Sequence, residues 1–259
     1  LQGISQKILM DRKTMLLLLT LAAGSMDSIS YLGLGEVFTA MMTGNTVLLG
    51  LSAGQGEYLA ALRGVVALSG FSLGVVAGTM IVERKPNDCE WPPSVTWALA
   101  IEVALLVLFV FLWHLSGGER SGGLRYSLIL LSALAMGVQS AAARFLGVPG
   151  ITTTYITGTL TTLMATVVHL EMWKKAFRKA QGGEPKEVLP GGFQRYSSAH
   201  MISLTAVIFC YGLGAFIGSV LSGAASLILE SGFPALAVTL VVANAALRHL
   251  FLKRGQVQA

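Results

Sequence analysis

Charge is what this sequence most lacks. Of 259 residues only 12% are charged, 18 Lys or Arg and 13 Asp or Glu, about half the roughly 25% of an ordinary soluble domain. With 54% hydrophobic residues and a mean hydropathy of +0.69, the chain has too little polar surface to coat a water-soluble globule. The same apolarity excludes a disordered or collagen-like chain. Cysteine is nearly absent: Cys89 falls in a polar loop and Cys210 in an apolar run, so there is no disulfide framework. No Cys/His spacing resembles a metal site or a haem attachment, and neither a metal nor any other cofactor is expected. A net charge of +5 would point to nucleic acid in a soluble protein. In a membrane protein it is loop charge that sets orientation, and no nucleic-acid partner is expected.

Long apolar runs take the place of the missing charge. A bilayer core about 30 Å thick needs roughly 20 helical residues, and six stretches supply them: 14–34, 59–82, 94–115, 125–146, 199–221 and 233–252. Lys7, Arg12 and Lys13 before the first run, and Ala22-Ala23-Gly24 within it, resemble a signal peptide. The apolar stretch continues to Leu34, however, and reads as a retained span. Two further segments, 37–51 and 151–170, are more polar. Each follows a Gly-rich break (Gly33-Leu34-Gly35; Gly147-Val148-Pro149-Gly150) and carries a central Thr-Gly. They read as broken helices.

The expected fold is therefore all-α: one polytopic membrane domain over 1–259, with six strong spans and two re-entrant Thr-Gly segments. It divides into repeat halves 14–115 and 125–252. Asp27-Ser28 precedes Thr43-Gly44-Asn45 in one half, and Gln139-Ser140 precedes Thr157-Gly158-Thr159 in the other. Small-residue ladders follow, Gly70-x3-Gly74-x3-Gly78 and Gly214-x3-Gly218-x3-Ser222, as expected of faces that let backbones approach closely in lipid. They suit a homodimer as well as the internal fold. If both broken segments cross instead, the chain has eight spans and parallel repeats.

Basic residues cluster in three places: Lys7 to Lys13, a loop over 171–198 with six positive charges from Lys174 to Arg195, and Arg248, Lys253 and Arg254. All three are expected on the cytoplasmic side, with both termini. Trp173 and Phe177 among the cations of 171–180 fit either a surface-lying amphipathic helix or a helix end with snorkelling lysines. Trp97 and Trp113, 16 residues apart, would lie about 24 Å apart on one helix and are expected near opposite interfaces.

Polar groups at membrane depth carry functional expectations, because stranding them costs several kcal/mol. Asp27 follows thirteen largely apolar residues and is the leading candidate for an ion or proton site. Glu102, five residues past Trp97, is a secondary candidate for the solute or ion site and is expected shallow and partly hydrated. A helix starting at a break presents unpaired N–H groups and a positive dipole end. Thr43 and Thr157 are expected N-caps, Gly44 and Gly158 permit the break, and Asn45 and Thr159 add polar groups. Two such ends meeting near the midplane would form a polar cavity for a small solute, the pattern of transporter sites. Thr152, Thr153, Thr154 and Tyr155 would line the second break, Gln139 and Ser140 would answer Asp27 and Ser28, and Arg144, a secondary candidate, either pairs with Asp27 or an anionic solute or snorkels. The apparent nucleophile elbow Gly70-Phe71-Ser72-Leu73-Gly74 lies inside an apolar span rather than at a strand-to-helix turn. Leu115-Ser116-Gly117-Gly118 resembles the ABC-transporter signature, yet no phosphate-binding loop accompanies it. His114, His169, His200 and His249 all fall near span ends, which disfavours an embedded enzyme.

Ala23-Gly24-Ser25-Met26-Asp27-Ser28 and Phe38-Thr39-Ala40-Met41-Met42-Thr43-Gly44-Asn45 resemble the YoaK-type bacterial membrane proteins. Met136-Gly137-Val138-Gln139-Ser140 and Thr153-Thr154-Tyr155-Ile156-Thr157-Gly158-Thr159 carry the same likeness in the second half, although Ser140 stands where Asn is expected in many relatives. The resemblance implies a multi-pass protein of the bacterial cytoplasmic membrane in a family without an assigned function. From the residues themselves, the expected activity is that of a secondary transporter or channel-like permease for a small polar solute or ion. A non-transporting scaffold or sensor is the alternative.

Overall fold

The computed structural model describes residues 10–84, 91–117, 122–147, 153–154, 156–179, 198–222 and 227–257. These form helices α1 (Arg12–Leu34), α2 (Met42–Gly54), α3 (Tyr58–Val82), α4 (Pro93–Leu115), α5 (Gly122–Leu146), α6 (Ile156–Lys179), α7 (Ser198–Ser222) and α8 (Leu227–Val257), with no strand among the described residues. Local chemistry sets several ends. Asp11 accepts from the Thr14 N–H at 3.2 Å and caps α1. Pro93 opens α4 at a position where its missing N–H costs nothing. Gly35, at φ 92°, stops α1 in the left-handed region.

Among the described residues six helices are long and apolar enough to cross a membrane: Arg12–Leu34, Tyr58–Val82, Pro93–Leu115, Gly122–Leu146, His200–Ser222 and Ser231–Phe251. Every limit lies within three residues of the sequence expectation, because apolar length alone decides a span. Cys89 and most of the basic loop 171–198 lie outside the described residues; α6 itself continues as one helix to Lys179.

Helices α1 and α5 form the buried centre. The first packs against α7 and α8, the second against α3 and α4; α4 and α8 also pack together. Both glycine ladders are spent inside the molecule. A Cβ on Gly74 would lie 2.2 Å from the Leu134 carbonyl oxygen, and one on Gly214 2.1 Å from that of Leu21. Those distances are far inside van der Waals contact, so backbones touch there as small-residue packing in lipid allows. Each half's ladder grips the other half's first span.

The same contacts give helix directions. Gly70, Gly74 and Gly78 meet Leu130, Leu134 and Val138 in that order, so α3 and α5 run parallel. Gly214 and Gly218 meet Leu21 and Ser25, so α7 and α1 run parallel. Ser94 at the start of α4 donates to the Val82 carbonyl at the end of α3 at 3.1 Å, the arrangement of a helical hairpin. Thr96 near the start of α4 meets His249 near the end of α8 at 3.1 Å, which makes that packed pair antiparallel. Gly35 at the end of α1 lies against the Arg63 side chain near the start of α3, so the chain turns back between those two helices as well. The six long helices therefore alternate in direction, as six crossings require. Helix α2 is too short to cross; it turns back on α3, where Gly64 lies against Leu49 and Asn45.

The aromatic expectation needs correcting at one end. Trp97 is 70% exposed, as a belt residue should be, but Trp113 is fully buried, its ring 5.2 Å from that of Phe109. The inward stripe of α4 runs through Val95, Leu99, Glu102, Leu106, Phe109 and Trp113. Helical spacing puts the second tryptophan on it and leaves the first outside.

Candidate functional site

The site grows from the way the chain leaves α1. After Gly35 and Glu36, both at positive φ, the backbone reverses and runs as an irregular, non-helical strand of chain beside the last two turns of α1. Ser30 and Thr39 join hydroxyls at 3.1 Å, and the Tyr31 and Phe38 rings stack at 5.0 Å. Non-helical backbone leaves N–H groups that a helix would have paired, and at membrane depth each costs several kcal/mol unless a partner is found. Asp27 is that partner. Its Oδ1 accepts from the N–H of Thr39 at 2.8 Å and of Ala40 at 2.6 Å, and its Oδ2 accepts from the Tyr211 hydroxyl of α7. Asp27 lies seven residues before the end of α1, about 10 Å below it.

Asn45 holds the same strand from the other side. The Phe38 N–H donates to its Oδ1 at 2.9 Å, and its Nδ2 donates to the Phe38 carbonyl at 2.6 Å. Gly44 leaves room for this: a Cβ there would come 2.8 Å from Met41 Cε and 3.0 Å from the Phe38 ring. Asn45→Ala strands both polar groups of Phe38, at about 1–3 kcal/mol per group. We expect faster amide exchange at Phe38 and a lower Tm, with Thr43→Ala, at an exposed position, changing neither.

Beside Asp27 opens a cavity of about 270 Å³ lined by Asp27, Ser28, Tyr31, Phe38, Met41 and Tyr211, with Leu32, Ala215 and Ser219 completing the wall. It is mainly apolar, with a carboxyl, hydroxyls and the edge of a reversed strand on one side.

The second half is arranged similarly, with different groups. Gly147, at φ 61°, ends α5 with its N–H on the Arg144 carbonyl at 3.0 Å, and Ser140 joins Thr154 of the break at 2.7 Å. Gln139 does not turn to the break as Asp27 does; its Nε2 donates to the Leu19 carbonyl of α1 at 3.0 Å. A larger cavity, about 600 Å³, lies between α3 and α5, with Thr79, Glu83, Ser140 and Arg144 as its polar lining.

Several sequence expectations change here. Thr43 is exposed and caps nothing; α2 is preceded by Met41, which makes no side-chain cap, and the sharp turn is at Gly35-Glu36. Thr157 is likewise exposed inside α6, and the hydroxyls of Thr161 and Thr162 bond back to the carbonyls of Thr157 and Gly158 at 2.9 and 2.8 Å. Thr153 and Thr159 are buried, while Thr152 and Tyr155 lie outside the described residues. Helices α2 and α6 share no contact among the described residues. Among the described residues the two breaks do not meet in one chamber: Thr39 and Ala40 are tied to Asp27 of α1, and Thr154 to Ser140 of α5. Arg144 lines the second cavity and Asp27 the first, so they do not pair. Glu102 is fully buried rather than hydrated, because it sits on the inward stripe of α4. Ser72 of the apparent nucleophile elbow bonds its own helix at Leu68, 2.8 Å away.

Sequence reasoning missed Tyr211, which is 184 positions from its partner. The signal was Gly24, one turn before Asp27: without a Cβ it lets α7 approach until the Tyr211 carbonyl fills that space.

These features define a polytopic helical membrane protein with a broken, polar segment folded back beside its first span. Over residues 15–245 the sequence matches the family described as "Protein of unknown function (DUF1275)", and the chain belongs to that family. It is 42% identical over 164 residues to the UPF0700 transmembrane protein YoaK of Bacillus subtilis (strain 168), which covers 63% of this chain and 71% of that protein. No solved structure matches it.

Proposed function

We propose that this protein is a permease for a small polar solute, with the cavity beside Asp27 as a solute- or ion-binding site. The observation that carries the reading is that Asp27 lines a cavity and also holds the reversed strand through Thr39 and Ala40. A proton, ion or solute that engages the carboxyl competes with those N–H groups. Occupancy and the position of the break are then coupled, which a transporter requires.

Two supports come from the architecture. The packing partners match when α1, α2, α3 and α4 are exchanged for α5, α6, α7 and α8: α1 with α7 answers α5 with α3, α1 with α8 answers α5 with α4, and α2 with α3 answers α6 with α7. Because α1 and α5 run in opposite directions, the halves read as an inverted repeat. With the basic clusters on the cytoplasmic side of a bacterial inner membrane, the Asp27 cavity opens outward and the Arg144 cavity inward.

The reading is tested by screening purified protein against small polar metabolites for thermal stabilisation, followed by uptake into proteoliposomes. A solute that stabilises the wild type and is taken up should do neither with Asp27→Asn. If no solute binds, or if the variant binds and transports normally, a scaffold or sensor role replaces the permease.

A further inference from the structure

Away from the Asp27 cavity, the inner faces of α4 and α8 bury a second acid. Glu102 is ten residues into α4, has no exposed surface, and neither of its carboxyl oxygens has a hydrogen-bond partner. An acid left so at membrane depth is a functional site by default, because the energetic cost has no structural return. It is not alone. Asn244 of α8 is buried with its Oδ1 unpartnered. Thr96 and His249 fix the register of the two antiparallel helices: Glu102 is six residues beyond Thr96 and Asn244 five residues before His249. At 1.5 Å per residue they lie within about 2 Å of the same level. On the neighbouring α5, Gln139 spends its Nε2 on Leu19 and keeps its buried amide oxygen, Oε1, without a donor.

The inner bundle thus holds buried oxygen acceptors that lack donors. The chemical complement of such a set is a positive charge. Hard monovalent and divalent cations take oxygen ligands, and a proton on the carboxyl would supply the donor that the Asn244 carbonyl lacks. Among the described residues no fixed cation lies at that level. Charged or titratable groups on α5 are Arg125, Tyr126 and Arg144, towards its ends; on α3 they are Tyr58, Arg63 and the terminal Glu83. On α8, Arg248 and His249 lie about one turn further towards Thr96.

We propose that Glu102, with Asn244 at the same level of the packed helix α8, is a cation-loading site at the α4–α8 interface, taking a proton or a sodium-sized ion. The site is independent of the Asp27 reading: it joins the spans that close the two halves, so its occupancy acts on how those halves pack.

The test uses full-length protein in detergent and in lipid nanodiscs, with Tm followed in two titrations. The first raises sodium chloride against N-methylglucamine chloride at constant ionic strength and pH 8. The second lowers pH without sodium. A site that binds a cation only when folded should raise Tm by roughly 5–10 °C at a hundredfold excess over Kd. A response to sodium in the first, lost in Glu102→Gln and weakened in Asn244→Leu, assigns an alkali ion. A response to pH alone, with the same losses, assigns a proton. Either response should survive in Asp27→Asn, which separates this site from the first cavity. If Glu102→Gln does not fold, Asn244→Leu alone decides. A wild type indifferent to both titrations, or variants that respond as it does, overturns the proposal.

Discussion

Gly214→Ala is expected to lose most of the folded protein, while Gly212→Ala, two residues away on the same helix, is expected to lose none. A methyl group on Gly214 would sit 2.1 Å from the Leu21 carbonyl oxygen, whereas nothing lies within 4 Å of the position it would take on Gly212. Overpacking of a tight interior costs about 1–3 kcal/mol when side chains can adjust. Here the obstacle is backbone, and the rigid α1 must shift along the face that also carries Asp27. The cost should reach about 3 kcal/mol, at the top of that range; the exposed substitution should stay within about 0.5 kcal/mol. The recovery of monodisperse protein after mild heating, read by size exclusion, distinguishes the two. Gly74→Ala, whose methyl would meet the Leu134 oxygen at 2.2 Å, should behave like Gly214→Ala, with the open Gly54 as its control. Equal recovery for Gly214→Ala and Gly212→Ala would mean that α7 does not lie on α1 as described.

That contrast also marks what the sequence could reveal. The small residues at every fourth position announced a close approach, and apolar length announced each span, because both signals are local. Which helix the ladder would grip is not local. Gly214 meets Leu21 and Gly74 meets Leu134 across the molecule, and no spacing within either ladder encodes that exchange. The site follows the same division. Asp27, Ser28 and Asn45 were legible as polar groups where lipid tolerates few, and Gly35 as a break. Thr43 misled, because a threonine beside a glycine looks like a cap, while the turn fell earlier and Asn45 secured the strand from within the helix. Tyr211 was invisible as a partner, since a tyrosine in an apolar run has many uses and only the fold brings it to the carboxyl.

Asp27→Leu should release the reversed strand, and Asp27→Asn should not. Leucine removes the acceptor of two N–H groups, Thr39 and Ala40, and leaves the Tyr211 hydroxyl unmatched. At about 1–3 kcal/mol for each stranded donor, the loss is enough to open the segment or unfold the protein. Asparagine keeps an oxygen facing the two amides and offers Nδ2 to the Tyr211 oxygen, so its cost should stay near 1 kcal/mol. Tyr211→Phe, which removes one hydroxyl and neither amide bond, should also cost about 1 kcal/mol. Amide exchange at Thr39 and Ala40 reads the strand directly: faster by a factor of ten or more in the leucine variant, at about 1.4 kcal/mol per decade, and near wild type in the other two. This ordering separates the two roles of the carboxyl, since asparagine preserves its hold on the strand while removing the charge that a cation or proton would meet. Were the leucine variant to keep Thr39 and Ala40 protected, the acid would not be what holds the break. Occupancy of the cavity would then have no route to the backbone beside it.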